Sequence, residues 1–160
     1  MRDETIYIER IPTKVIEEET PHRYRPSKSM LDTGLLILRL ALGGLMLLHG
    51  IGKIRNGVEM FKPSLAEMGL PEFLIYGLYI AEVLAPVMII FGLWTRFAAL
   101  TIVIDMIMAI VLVRKQDFFA LSHSGGWAVE LEALYFFMAL VLCFTGSGAY
   151  RITRSPRPWD

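Results

Sequence analysis

The chain has 160 residues, sixteen basic and sixteen acidic side chains, and is 54% hydrophobic. With a positive mean hydropathy, that is greasy for a soluble domain of this size and ordinary for a small integral membrane protein. Zero net charge without a nucleic-acid-binding motif argues against a DNA or RNA partner, and a lone cysteine, Cys143, rules out an internal disulfide or dithiol exchange.

Residues 1–29 read as a polar tail with six basic and six acidic side chains. "TIYIERI" has the pattern of a short strand, and "EEETPHRYRPSKS" is a linker punctuated by Pro21 and Pro26. The tail lacks an apolar h-region with a small-residue cleavage site, so no signal peptide is expected.

Four apolar segments follow, at about 31–53, 72–94, 96–113 and 127–146. Each approaches the ~20 residues that a helix needs to cross ~30 Å of hydrocarbon. In lipid every backbone amide must be satisfied within its own segment, so all four are predicted helices. A soluble bundle would keep a polar stripe on each helix, and these keep only isolated charges. The expected fold is an all-α membrane protein: a four-transmembrane-helix bundle over residues 30–152, preceded by the polar tail and followed by a basic C-terminal tail at 153–160.

The connections differ in length. "LWTR", residues 93–96, is a tight hairpin between the second and third spans. In residues 54–71, Val58, Phe61, Leu65 and Met68 recur at helical spacing, while Lys62 and Glu67 project elsewhere. That pattern predicts a short amphipathic helix on the membrane surface, ended by "GLP". Four spans put both termini on one side, with Arg23, Arg25, Lys28, Arg96, Arg151, Arg154 and Arg157. The other side has Lys53, Arg55, Lys62, Arg114 and Lys115. The excess of basic residues orients both termini to the cytoplasm.

Several charges fall inside the spans. An unpaired ion at the bilayer centre costs at least ~2.5–3.5 kcal/mol, so such residues face inward and pair. Counting along the helices predicts two layers. Arg39, Glu82 and Asp105 form an inner cluster, and His49 and Lys53 meet Glu130 in an outer one. Arg39, Gly43, Met46, His49, Gly50 and Lys53 share a ~120° sector of the first helix, and its glycines permit close helix approach. Glu130 and Glu132 lie ~200° apart, so only one can face that helix; Glu130 is assigned inward and Glu132 to the headgroups. Two carboxylates against one guanidinium leave a surplus that must be protonated or bound to something. Whether these charges only lock the helices in register or line a polar cavity is open at this stage.

His49 is the single histidine in an apolar run, which argues against a bis-histidine haem; His123 has no second His or Cys nearby, so no metal site is expected. Cys143 reads as a small core residue, Trp94, Trp127 and Tyr150 as interface anchors, and Pro86 as a kink one turn beyond Glu82.

The segments "LRLALGGLMLLHGIGKI", "MGLPEFLIYGLYIAEVLAPVMIIFGLWTRFAAL" and "GGWAVELEALYFFMALVLCFTGSGAYRI" resemble the DoxX family of bacterial and archaeal membrane proteins. The residues that carry the resemblance are Arg39, His49-Gly50, Lys53, Gly69, Pro71, Ala81-Glu82, Gly92, Thr95-Arg96, Ala98, Gly125-Gly126, Glu130, Tyr135 and the closing Gly146, Gly148 and Tyr150. It implies a four-helix inner-membrane protein associated with a quinone-linked redox system, although the sequence has no cofactor motif. Three functions stay open: a redox-partner subunit binding a quinone beside Arg39, Glu82 and His49; a non-catalytic scaffold whose tails bind other protein subunits; and a small oligomeric transporter.

Overall fold

A computed structural model describes residues 27–123 and 125–152. The expectations for residues 1–26 and 153–160 lie outside the described residues. Helices dominate, and the described residues contain no strand beyond one isolated bridge between Leu121 and Trp127.

Helix α1 spans Lys28–Asn56. Ser27 caps it, its hydroxyl accepting a hydrogen bond from the Met30 amide at 3.3 Å. Lys28 and Ser29 therefore belong to the helix and not to the polar tail. The buried stripe is Arg39, Leu42, Gly43, Met46 and Gly50, the sector the periodicity indicates. At 29 residues, or ~43 Å, α1 is much longer than its neighbours.

A tight turn at Glu59–Phe61 leads into the surface helix α2, Lys62–Glu67. Val58 and Leu65 are buried together with Ile75, and Phe61 and Leu70 pack on them. Met68 instead stays half exposed: the helix stops at Glu67, and Gly69 at φ 66° turns the chain so that Leu70 takes the inward place. Lys62 pairs with Glu59 and lies 3.7 Å from Glu72, tying α2 to the next span. The Glu59 hydrogen bond holds the Lys62 ammonium above its ordinary pKa.

Helix α3 covers Glu72–Phe91 but is not regular. Its first turn is a tight 3₁₀ segment, Glu72–Tyr76, and Ile80–Leu84 form a π-helical turn. Pro86 has no amide hydrogen to give the Glu82 carbonyl four residues back. The chain widens instead, and the Ala85 amide reaches the Ile80 carbonyl five residues back. The expected kink is thus a π turn, and it contains Glu82. Gly92 at φ 72° ends the helix, its amide and that of Leu93 returning to the carbonyls of Ile89 and Met88 at 3.1 and 2.8 Å.

Helix α4, Thr95–Leu112, follows at once. Trp94 turns the hairpin at φ 43°, a left-handed conformation that costs a bulky residue ~1–2 kcal/mol. Helix α5 is Glu130–Thr145, not 127–146. Trp127 bridges to Leu121, and the Ala128 amide donates to the Ala120 carbonyl at 3.0 Å, so these residues close the preceding loop. Three helices, α1, α3 and α4, are long and apolar enough to cross a membrane. The fourth is equally apolar but has 16 residues, or ~24 Å.

Helices α4 and α5 share the most extensive interface, with Ala98, Ala99, Ile102, Tyr135, Ala139 and Leu142 in the core. Helix α1 meets α3 through its glycines. A Cβ on Gly43 would come within 2.9 Å of the Pro86 carbonyl oxygen, and one on Gly50 would run into the Glu82 carbonyl. The Ala149 amide donates to Asp32 at 2.9 Å, so both ends of the described chain lie at one end of the bundle. That end is called proximal here. The loops around 57–71 and 113–129 form the distal end.

Candidate functional site

Arg39 is 1% exposed and meets no carboxylate among the described residues. Its Nε donates to the Ile89 carbonyl at 2.8 Å and Nη2 to Ile90 at 2.8 Å; Nη1 donates to Ser147 at 2.9 Å and to Tyr150. Ile89 and Ile90 lie in the last turn of α3, whose carbonyls carry the negative end of the helix dipole. Ser147 and Tyr150 lie just beyond the end of α5. Arg39 therefore ties two helix C-termini to α1. Gly92 makes room for it, because a Cβ there would stand 2.6 Å from Nη2.

This corrects the expected Arg39–Glu82–Asp105 cluster. Helix α1 overhangs its neighbours at the proximal end, where Asp32 and Leu35 pack on the 148–149 segment. Arg39, eleven residues into α1, is thus level with the end of α3. Glu82 lies seven residues before Ile89 on α3, ~10 Å nearer the distal end.

The charged cluster is distal. Lys53 of α1 forms an ion pair with Glu82 of α3, and its ammonium stands 5.0 Å over the Phe61 ring. Glu82 is 4% exposed and Asp105 of α4 is 7% exposed. Asp105 lines the same cavity as Lys53. Glu82 Oε2 and Asp105 Oδ2 are buried with no hydrogen-bond partner among the described residues. Lys53 thus pairs with Glu82 and not with Glu130, and the surplus carboxylate predicted for the inner layer belongs here.

Glu130 and Glu132 exchange their expected roles. Glu130 is the first residue of α5, exposed, with its carboxylate against Gly126. Glu132 faces inward, 3.5 Å from Arg114 Nε, and lines a cavity together with His49, Lys53 and Tyr135. His49 lies at the edge of the buried stripe, its ring edge-on to Tyr135 with centroids 5.6 Å apart. Arg114 and Tyr135 were not among the sequence candidates.

Two cavities meet at this cluster. The larger, about 460 Å³, runs between α3 and α4 beneath α2 and is walled by Leu65, Leu74, Ala81, Leu100, Ile104 and Met108. Its charged lining residues are Lys53 and Asp105. The smaller, about 260 Å³, lies toward α5 and carries His49, Glu82, Arg114, Glu132 and Tyr135. Lys53 lines both.

The fold and the ion pair between α1 and α3 define a four-helix integral membrane protein with a polar site inside the bundle. The family model described as DoxX matches residues 34–115, and the chain belongs to that family. It is 29% identical over 116 residues to "Putative oxidoreductase CatD" of Bacillus subtilis (strain 168), covering 72% of this chain and 81% of that protein. It is 28% identical over 119 residues to an "Uncharacterized protein" of Haemophilus influenzae (strain ATCC 51907 / DSM 11121 / KW20 / Rd), covering 72% and 84%. No solved structure gives a significant match.

Proposed function

We propose that the protein is the membrane subunit of a quinone-linked redox system, placed in the inner membrane with both termini in the cytoplasm, and that the α3–α4 cavity holds the quinone. One observation carries the reading: a long apolar cavity carries on its wall the partly buried Lys53 ammonium and Asp105, one of whose buried oxygens has no partner among the described residues. The lining follows α4 from Phe97 to Val113, sixteen residues along the helix, or ~24 Å, a length that suits an isoprenoid chain. Lys53 can donate a hydrogen bond to a ring oxygen, and Asp105 can accept one from a ring hydroxyl. A quinone supplies two-electron, two-proton carrier chemistry; the chain's residues bind its head and hold the proton. The oxidoreductase name of the Bacillus relative agrees with a redox role. Arg39, far from this cavity and saturated by carbonyls, has no part in it.

Ile104 faces outward at 54% exposure yet lines the cavity, so a larger side chain there fills it without crowding the core. Ile104→Trp should weaken binding of a short-chain ubiquinone analogue to the purified protein by about tenfold. Absence of saturable quinone binding by the parent protein would refute the reading.

The orientation rests on the excess of Lys and Arg at the proximal span ends. Phe119, 94% exposed, is in a distal loop. In a Cys143→Ala background, Phe119→Cys should react with an impermeant maleimide on intact cells. Reaction only after lysis would reverse the topology.

A further inference from the structure

The distal cluster has one carboxylate more than its lysine can neutralise. Glu132 lies 3.5 Å from Arg114, which also reaches Asp117 at 3.4 Å. Glu82 is matched by Lys53. Asp105, more than nine-tenths buried, has an oxygen with no partner among the described residues and lines the larger cavity. Two buried carboxylates, each with an oxygen that has no partner among the described residues, thus stand around one lysine inside an apolar bundle. The smaller cavity then supplies a second feature. It reaches Glu82 from the α5 side, past exposed His49, and carries the Tyr135 phenol and Glu132. The charged or titratable groups that face the pair are therefore His49 and Lys53 from α1, Arg114 after α4, and Glu132 and Tyr135 from α5.

We propose that Glu82 and Asp105 hold one exchangeable proton between them, and that it equilibrates with water at the distal face through the smaller cavity, by way of His49. The transfer conserves charge: a carboxyl O–H bond breaks, an imidazole N–H bond forms, and His49 releases the proton to water. The site goes beyond the quinone reading and stands without it, since the proton balances Lys53, Glu82 and Asp105 whether or not the larger cavity is filled.

Infrared spectroscopy of the protein in lipid nanodiscs and oriented vesicles tests this without any ligand. The parent protein should show the C=O stretch of a protonated carboxyl, shifted by D₂O. Asp105→Asn and Glu82→Gln should each abolish the band, because either change removes the surplus charge and leaves the other carboxylate paired with Lys53. An acid located on one residue alone would persist in the other variant. His49→Leu should slow the response of the band to a pH jump on the distal side by about a hundredfold, the low end of what a positioned acid–base group contributes. No such band in the parent protein overturns the proposal, and that measurement needs no variant to fold. So does a band that survives Glu82→Gln, or one that follows the pH of the proximal side. Failure of quinone binding with these spectral changes intact would sink the quinone reading alone.

Discussion

Lys53→Met should destabilise the folded bundle by about 3–5 kcal/mol, the cost of leaving a buried carboxylate without its partner. The double change Lys53→Met with Glu82→Gln should recover most of that loss. The single change leaves Glu82 and Asp105, 4% and 7% exposed, without the lysine beside them. Each must then take up a proton or draw in water, and either outcome disfavours close packing. The double change leaves Asp105 with a neutral amide that can donate to its unpartnered oxygen. Reversible unfolding of both variants in mixed micelles measures the difference. Equal stabilities would mean that Lys53 and Glu82 do not interact, and the distal site as described would be wrong.

Periodicity placed much of this arrangement in view. The buried stripe of α1 is legible from Arg39, Gly43, Met46 and Gly50, because burial in a helix follows 3.6-residue spacing. The surplus carboxylate is legible as well, since it depends on charge counting and not on geometry. What periodicity does not encode is the axial offset between helices. The overhang of α1 is set by tertiary contacts such as Asp32 with Ala149, and it separates Arg39 from Glu82. The π turn at Ile80–Leu84 adds a residue to the helical period at the position of Glu82, so angles counted from a regular helix misplace it. Pro86, four residues on, was the available signal.

Glu132 was within reach of the sequence. It stands three residues before Tyr135, seven before Ala139 and ten before Leu142, the buried stripe of α5. Following that phase back from the core selects Glu132. Starting from the first acidic residue selects Glu130, which begins the helix and turns toward Gly126.

Arg39→Leu should cost about 3–5 kcal/mol, and none of that loss should be relieved by changing Glu82 or Asp105. Among the described residues the guanidinium makes four hydrogen bonds, all to main-chain carbonyls. A hydrogen bond to a charged group is worth ~1.5–3 kcal/mol net, so loss of even two that water cannot replace reaches that range. The cation tolerates burial because the carbonyls supply a shell like that of water, and the C-terminal end of α3 supplies negative potential. Removing a carboxylate ~10 Å away along α3 does not touch that shell. Arg39→Leu and Glu82→Gln should therefore add within ~0.3–0.5 kcal/mol in a double-mutant cycle. Arg39→Lys should retain part of the stability, since an ammonium keeps the charge but cannot reproduce the planar fork that reaches both helix ends. A coupling energy well above that limit between Arg39 and Glu82 would restore the direct pairing that the carbonyl shell rules out. Additivity would assign Arg39 to the architecture and leave the distal charges to the chemistry.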